Sequence, residues 1–149
     1  MSETKPNYLD KATFDKIYKQ VPRVCVELVI DDVGGVLLTK RSIEPEKGLW
    51  HLPGGTILLG ESFEDAAIRI ALEETNLDID ELELLSVIEY CDKENPFYHA
   101  VGIVFYVGAF EGDIKTNEQA SEIDFFNKLP EPIVEEHKDF LEAFLSEQK

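Results

Sequence analysis

Apolar and polar positions divide the chain into segments of two periods. Leu9, Phe14, Ile17 and Tyr18 are spaced for one face of a short helix over 9–20, which Pro22 ends. Arg23 to Ile30 is rich in β-branched residues and reads as a strand with Arg23, Cys25 and Glu27 on one side. Asp31 to Gly35 is a turn and Val36 to Arg41 a second strand, so 23–41 reads as a hairpin. Ser42 to Gly48 is a loop punctuated by Pro45. Ser62, with Asp65 three residues on, caps a helix starting near Phe63 whose apolar stripe is Ala66, Ala67, Ile70 and Ala71, with Asn76 as its stop. Leu84 to Tyr90 and His99 to Phe110 read as strands separated by a polar loop at 92–96. The second is almost continuously apolar, as in a strand covered on both faces. After a polar stretch at 116–122, Ile123 to Phe126 is a short strand, and 132–148 a helix with Ile133, Phe140, Leu141, Phe144 and Leu145 as its stripe. Mixed strands with one central and two flanking helices predict an α/β/α sandwich. Repeats and low-complexity tracts are absent from the sequence.

Composition narrows the function. At 149 residues and 44% hydrophobic content, one domain spanning 1–149 with a full core is expected. With 14 basic against 31 acidic residues, the net charge of −17 repels nucleic acid and anionic lipid. A small phosphorylated ligand is compatible with that field if metal ions and a few basic groups offset it locally. Cys25 and Cys91 have no metal-ligand spacing and fall in apolar segments, so both are expected as buried free thiols. Residues 1–6 have no apolar stretch of signal type, and the longest apolar run, Ala100 to Phe110, is too short to span a bilayer. A cytoplasmic protein without membrane contact is the expectation.

The chemistry concentrates between Trp50 and Leu77. Pro53, Gly54 and Gly55 can hold backbone carbonyls in a tight turn. Glu61 precedes the helix, while Glu73 and Glu74 stand near its end, with Arg69 one turn before Glu73. Three carboxylates near one glycine turn repel unless a cation lies among them, and a hard divalent ion suits oxygen ligands: Mg²⁺, with Mn²⁺ as the alternative. Solvation of an acidic helix face is the plain alternative.

The spacing decides between these. Gly55, five residues, Glu61, seven residues, Arg69, then Ala71, Glu73, Glu74 and Leu77 resembles the Nudix box, here 55–77, at seven of nine specified positions. Trp50-His51-Leu52-Pro53-Gly54 also looks like the approach to that box. Two positions depart: Ile70 stands where the family has Glu, and Asn76 where it has Gly. The resemblance implies a Nudix-type α/β/α sandwich with a mixed sheet and a metal-dependent hydrolase acting on nucleoside diphosphates linked to another moiety.

The 10–29 opening, Lys40-Arg41 and Gly48-Leu49-Trp50 look more narrowly like the GDP-mannose mannosyl hydrolase branch, which also carries an aliphatic residue where Ile70 stands. That resemblance implies metal at the Gly54 carbonyl, Glu74 and Gln119, substrate at Glu27 and Arg41, and a homodimer. The branch has a His base directly after the Gln, where this chain has Ala120. Glu118 or Glu122 could replace it and activate water. Arg41 suits a pyrophosphate, since guanidinium matches phosphate oxygens at two points, although Lys40 and Arg41 would also serve to blunt a strand edge. Glu27 is either a solvent-facing strand residue or an acceptor for a sugar or base. The expected set is therefore Glu73, Glu74, Gly54, Glu61 and Gln119 for metal, Arg69 to orient the carboxylates, Arg41 and Glu27 for a small nucleotide, and Glu118 or Glu122 as base. Alternatives are a nucleoside triphosphate pyrophosphohydrolase and a catalytically silent nucleotide-binding module.

Overall fold

A computed structural model of the chain describes residues 7–44, 46–92 and 99–147. Its elements are α1 (Lys11–Tyr18), β1 (Arg23–Asp32), β2 (Gly35–Arg41), β3 (Trp50–His51), β4 (Gly54–Thr56), α2 (Phe63–Thr75), β5 (Asp78–Cys91), β6 (His99–Glu111), β7 (Ala120–Phe126) and α3 (Glu135–Glu147).

The mixed sheet is organised by β1. It runs parallel to β6 from Arg23 opposite Ala100 to Ile30 opposite Val107, and antiparallel to β4 from Cys25 opposite Thr56 to Glu27 opposite Gly54. The expected hairpin exists only at its tip, where Asp31 pairs with Val36 and Asp32 with Gly35. Beyond the tip the strands splay: β2 continues against β3 and β7 in a second ladder. Gly35 fixes the turn, with φ of 108° and so little room that a Cβ would lie 2.0 Å from the Phe126 carbonyl oxygen.

Alternation along β1 builds the layers. Val26, Leu28 and Ile30 pack with Leu37 against Ala66, Ala67, Ile70 and Ala71 of α2. Cys25 and Val29 pack with Leu38, Trp50 and Leu52 against Leu141 and Phe144 of α3. The expected α/β/α sandwich is the observed fold. Helix α2 starts and stops as its sequence dictates: the Ser62 hydroxyl accepts from the Asp65 N–H at 3.0 Å, and Asn76 ends it at φ of 66°.

Several boundaries differ from expectation. The short strands β3 and β4 lie in a stretch that reads as loop. β5 begins at Asp78, well before Leu84, because its first half alternates exposed Asp78 and Asp80 with buried Ile79, and acidic residues mask strand character. α3 begins at Glu135, since the segment before it is tied to β3: the Trp50 N–H donates to Pro132 O and the Val134 N–H to Trp50 O, each at 2.9 Å. Cys25 is buried as expected, but Cys91 is exposed at the end of β5, which corrects the pairing of both as buried thiols. Residues 93–96 of the loop expected at 92–96 lie outside the described residues. Among the described residues, no helix is long and apolar enough to cross a membrane.

Candidate active site

An open cleft of about 480 Å³ lies over the C-terminal half of α2, lined by Tyr8, Gly54, Gly55, Arg69, Ile70, Glu73, Glu74, Asn117, Glu118 and Gln119. Six of the ten expected site residues therefore meet there: Gly54, Arg69, Glu73, Glu74, Glu118 and Gln119.

Arg69 is the organiser. Its Nε donates to Glu61 Oε2 at 2.7 Å, Nη2 to Glu61 Oε1 and to Thr56 O at 2.9 Å each, and Nη1 to Glu73 Oε1 at 3.1 Å. Glu61 also accepts the Leu58 N–H at 2.8 Å, so both of its oxygens are engaged, and it stands beside the cleft rather than lining it. Burial pushes the Glu61 carboxyl up, but the Arg69 hydrogen bonds, the Leu58 N–H and the Arg69 charge together hold it below the usual carboxylate range. Burial works against the Arg69 charge as well, and the hydrogen bonds it donates to Glu61 and Glu73 outweigh it, so the guanidinium is held more firmly protonated than usual.

The two adjacent helix carboxylates face different partners. Glu73 is engaged by Arg69 and by the Tyr8 hydroxyl, which donates to Oε1 and, at 2.8 Å, to Oε2. Glu74 points under the 117–119 loop, where Asn117 Nδ2 donates to its Oε2 at 2.6 Å and to the Glu73 carbonyl at 3.1 Å. Burial raises the Glu74 carboxyl above its ordinary range, the Asn117 bond and the Arg41 charge oppose the rise, and the Glu73 charge adds to it. The loop is pinned to β2's end by the Ser42 N–H, donating to Gln119 O at 2.9 Å, and by the Ser42 hydroxyl, donating to Glu118 O at 3.2 Å.

Arg41 does not line the cleft, yet its charge reaches Glu74 and His51, and its buried Nε has no hydrogen-bond partner among the described residues. His51, pushed down to about 4 chiefly by burial, is neutral near neutral pH. Glu122 stands away from the cleft, paired with Lys40 at 3.3 Å. Glu27 is neither solvent-facing nor in the cleft: it is 6% exposed, on the α3 side of β1 among Tyr90 and His137. Its environment corrects the expectation of a solvent-facing strand position. Asn117 and Tyr8 are site residues that the sequence does not announce. Their only signal is a polar loop next to Gln119 and an aromatic residue in the opening segment.

Among the described residues, no three His, Cys, Asp or Glu side chains converge as a ready cage for an ion, because Arg69 holds Glu61 and shares Glu73. The donor set nevertheless fits a hard ion of the Mg²⁺ type, which takes one or two carboxylates and completes its shell with water and phosphate oxygens. Glu74, a half-buried carboxylate at the cleft with no ion-pair partner among the described residues, is the natural anchor, and Gly54 and Gln119 offer neutral oxygens on the same cleft.

A glycine turn set against a capped, carboxylate-bearing helix in a three-layer α/β/α fold is the arrangement that the resemblance of residues 55–77 to the Nudix box implies. The NUDIX domain model matches residues 19–144, and the chain belongs to the Nudix hydrolase family. It is 34% identical over 126 residues to the ADP-ribose pyrophosphatase of Methanocaldococcus jannaschii, covering 83% of this chain and 73% of the relative. It is 33% identical over 151 residues to the low-salt glycan biosynthesis protein Agl8 of Haloferax volcanii, covering 91% and 97%. Among solved structures, a MutT NUDIX hydrolase from Burkholderia pseudomallei superposes with a TM-score of 0.76 at 31% identity, over 83% of this chain and 98% of that one. The NUDIX domain of NrtR from Shewanella oneidensis, complexed with ADP ribose, gives 0.71 at 23% identity over 96% and 95%, which speaks for the shared fold.

Proposed function

We propose that the cleft takes a nucleoside diphosphate linked to a second moiety, of the ADP-ribose or nucleotide-sugar kind, and hydrolyses its pyrophosphate with Mg²⁺ bound. The observation that carries this reading is Glu74: a half-buried carboxylate at the cleft, fixed by Asn117, within reach of the Arg41 charge. The ADP-ribose pyrophosphatase named above supports the substrate class, as its name gives such a molecule as its substrate.

Glu74, the Gly54 carbonyl and Gln119 would hold the ion, with Glu73 joining once it turns from Tyr8. When bound, the ion offsets charge on the pyrophosphate oxygens. Arg41, whose charge reaches Glu74 from outside the cleft, would pair with a phosphate oxygen once its side chain turns toward the bound substrate. Glu118, at the cleft, takes the proton from a water that attacks one phosphorus; the bridging P–O bond breaks and two phosphate monoesters leave. Glu122 is less suited, being held by Lys40 outside the cleft. Arg69 orients, locking Glu61 to the helix and steadying Glu73.

A silent nucleotide-binding module on the same fold has one observation in its favour. Ile70, where the family pattern carries Glu, is 2% exposed and packs into the core. Incubation with Mg²⁺ and ADP-ribose, nucleotide sugars and nucleoside triphosphates in ¹⁸O-labelled water tests all readings. Label in a phosphate monoester supports the proposal. Label in a free sugar shows attack at carbon, inorganic pyrophosphate from triphosphates shows the pyrophosphohydrolase, and tight binding without product shows the silent module.

A further inference from the structure

Behind the glycine turn lies a buried polar network that the proposed chemistry does not use. Glu27 of β1, Tyr90 of β5 and His137 of α3 are 6%, 6% and 5% exposed. The Tyr90 hydroxyl donates to Glu27, its oxygen lying 2.5 and 2.7 Å from the two carboxylate oxygens. His137 Nε2 stands 2.9 Å from Glu27 Oε2 and 2.5 Å from the Tyr90 oxygen. Its Nδ1 accepts the Leu52 backbone N–H at 3.0 Å, so the ring proton resides on Nε2 and points into the network. Room for the carboxylate comes from β6, where a Cβ on Gly102 would lie 2.3 Å from Glu27 Oε1.

Burying a carboxylate, a phenol and an imidazole is less favourable than burying an apolar trio of equal volume, which would pack the sandwich as well. An apolar trio would leave the Leu52 N–H without an acceptor. That amide opens the turn carrying Gly54, whose other fixings are the Leu28 N–H on Pro53 O at 2.9 Å and the pairing of Gly54 with Glu27 itself. The segment leading into α3 clamps Trp50 two residues earlier. The turn is thus held from β1 on one side and from α3 on the other, and His137 supplies the α3 grip.

We propose that His137, its ring locked by Glu27 and Tyr90, is a positioning residue that acts through Leu52 to keep Gly54 in place for the divalent ion. This rests on the reading of Gly54 and Glu74 as ion ligands. Geometry makes the idea testable by two near-isosteres. In His137→Asn the amide oxygen falls where Nδ1 was and can still accept the Leu52 N–H. In His137→Gln the amide reaches the Nε2 position, serving Glu27 and Tyr90 but leaving Leu52 unpaired.

Mn²⁺ binding, read from the EPR signal of free ion, is measured beside thermal unfolding of the metal-free variants. The expected result is near-native Mn²⁺ affinity for His137→Asn and a loss of about tenfold for His137→Gln, at similar unfolding temperatures. Equal affinities for both variants, or losses that track the drop in unfolding temperature, overturn the proposal. Should either variant not fold, Mg²⁺ titration of the unaltered protein decides: the Leu52 amide and His137 ring nitrogen resonances should move with Gly54, and their staying fixed while Gly54 moves overturns it. Glu74→Gln is the control. Native Mn²⁺ affinity in that variant removes the ion site itself, whereas its loss alongside an unaffected His137→Gln variant removes only the role of His137.

Discussion

Replacing Arg69 by Met keeps the stem of the side chain and deletes every contact of the guanidinium. The Arg69 and Glu61 side chains are 14% and 9% exposed, so the variant strands a nearly buried carboxylate whose remaining donor is the Leu58 N–H. Breaking such a pair from one side costs about 3–5 kcal/mol. The arm to Glu73, whose side chain is 39% exposed, adds no more than about 1 kcal/mol. A total near 4 kcal/mol corresponds to a fall of roughly 10 °C in unfolding temperature for a chain of this size. Urea unfolding measures it, and adding Glu61→Gln should recover about 2 kcal/mol, because the stranded charge is then gone.

Acidity supplies a second arm. In the wild type the Glu61 carboxyl is held below its usual range, so its stabilising contribution is present above the unfolded-state value and is lost as pH falls through the folded one. Without Arg69, burial dominates and raises the same carboxyl, so the variant's penalty is largest near neutrality and fades as the group protonates. The stability gap should therefore narrow from neutral pH toward about pH 4. A loss below about 1 kcal/mol, or a gap that stays constant with pH, refutes Arg69 as the keystone of the α2 site.

Other predictions concern the cleft itself. Glu74→Gln should lower turnover beyond the roughly hundredfold typical of an outer partner, while raising the metal-free unfolding temperature at neutral pH. Burial raises the Glu74 carboxyl, so its ionised form disfavours folding, and the advantage of Gln should vanish as pH falls below the carboxylate range. Steady-state kinetics of Glu118→Gln should show kcat down by about 10² to 10⁴ with little change in KM, whereas Glu122→Gln should stay within about twofold. Near-native kcat in the first, or an equal loss in the second, would move the base elsewhere. Tyr8→Phe frees Glu73 from the hydroxyl, and Mn²⁺ affinity should rise by about two- to fivefold; unchanged affinity would show that Tyr8 does not compete with the ion.

The legible parts of the fold are those specified by neighbours in sequence. Helix α2 carries its start signal at Ser62 and its stop signal at Asn76, so both ends were legible from neighbouring residues. The box carboxylates were legible for the same reason, because spacing along one helix fixes where Glu73 and Glu74 point relative to Arg69. What stayed hidden depends on partners distant in sequence. β3 and β4 are two and three residues long and exist only because β2 and β1 offer edges to them. Asn117 reaches Glu74 across 43 positions, and His137 reaches Leu52 across 85, so neither has a local signature. Glu27 is the instructive miss. On a strand covered on one face an acidic residue belongs to solvent, but β1 has α2 on one side and α3 on the other, so the carboxylate had to find buried partners.

The departure at Ile70 follows from the same layering. Its side chain is part of the core between β1 and α2, and it also lies under the glycine turn, with Cγ1 3.3 Å from where a Gly55 Cβ would be. A Glu at 70 would have to leave that core and enter the cleft beside Glu73 and Glu74, adding a third charge to an acidic surface that Arg41 offsets only from outside the cleft. With Ile, the turn gains an apolar floor, and the cleft carries one half-buried carboxylate, Glu74, whose charge the Asn117 hydrogen bond and Arg41 favour. Under the proposed reading, ion capture then rests on Glu74 and on the placement of Gly54. On that reading the accuracy of the turn matters more here than in a site with spare carboxylates, and the Leu52 N–H held by the buried His137 is the contact from α3 that would maintain it.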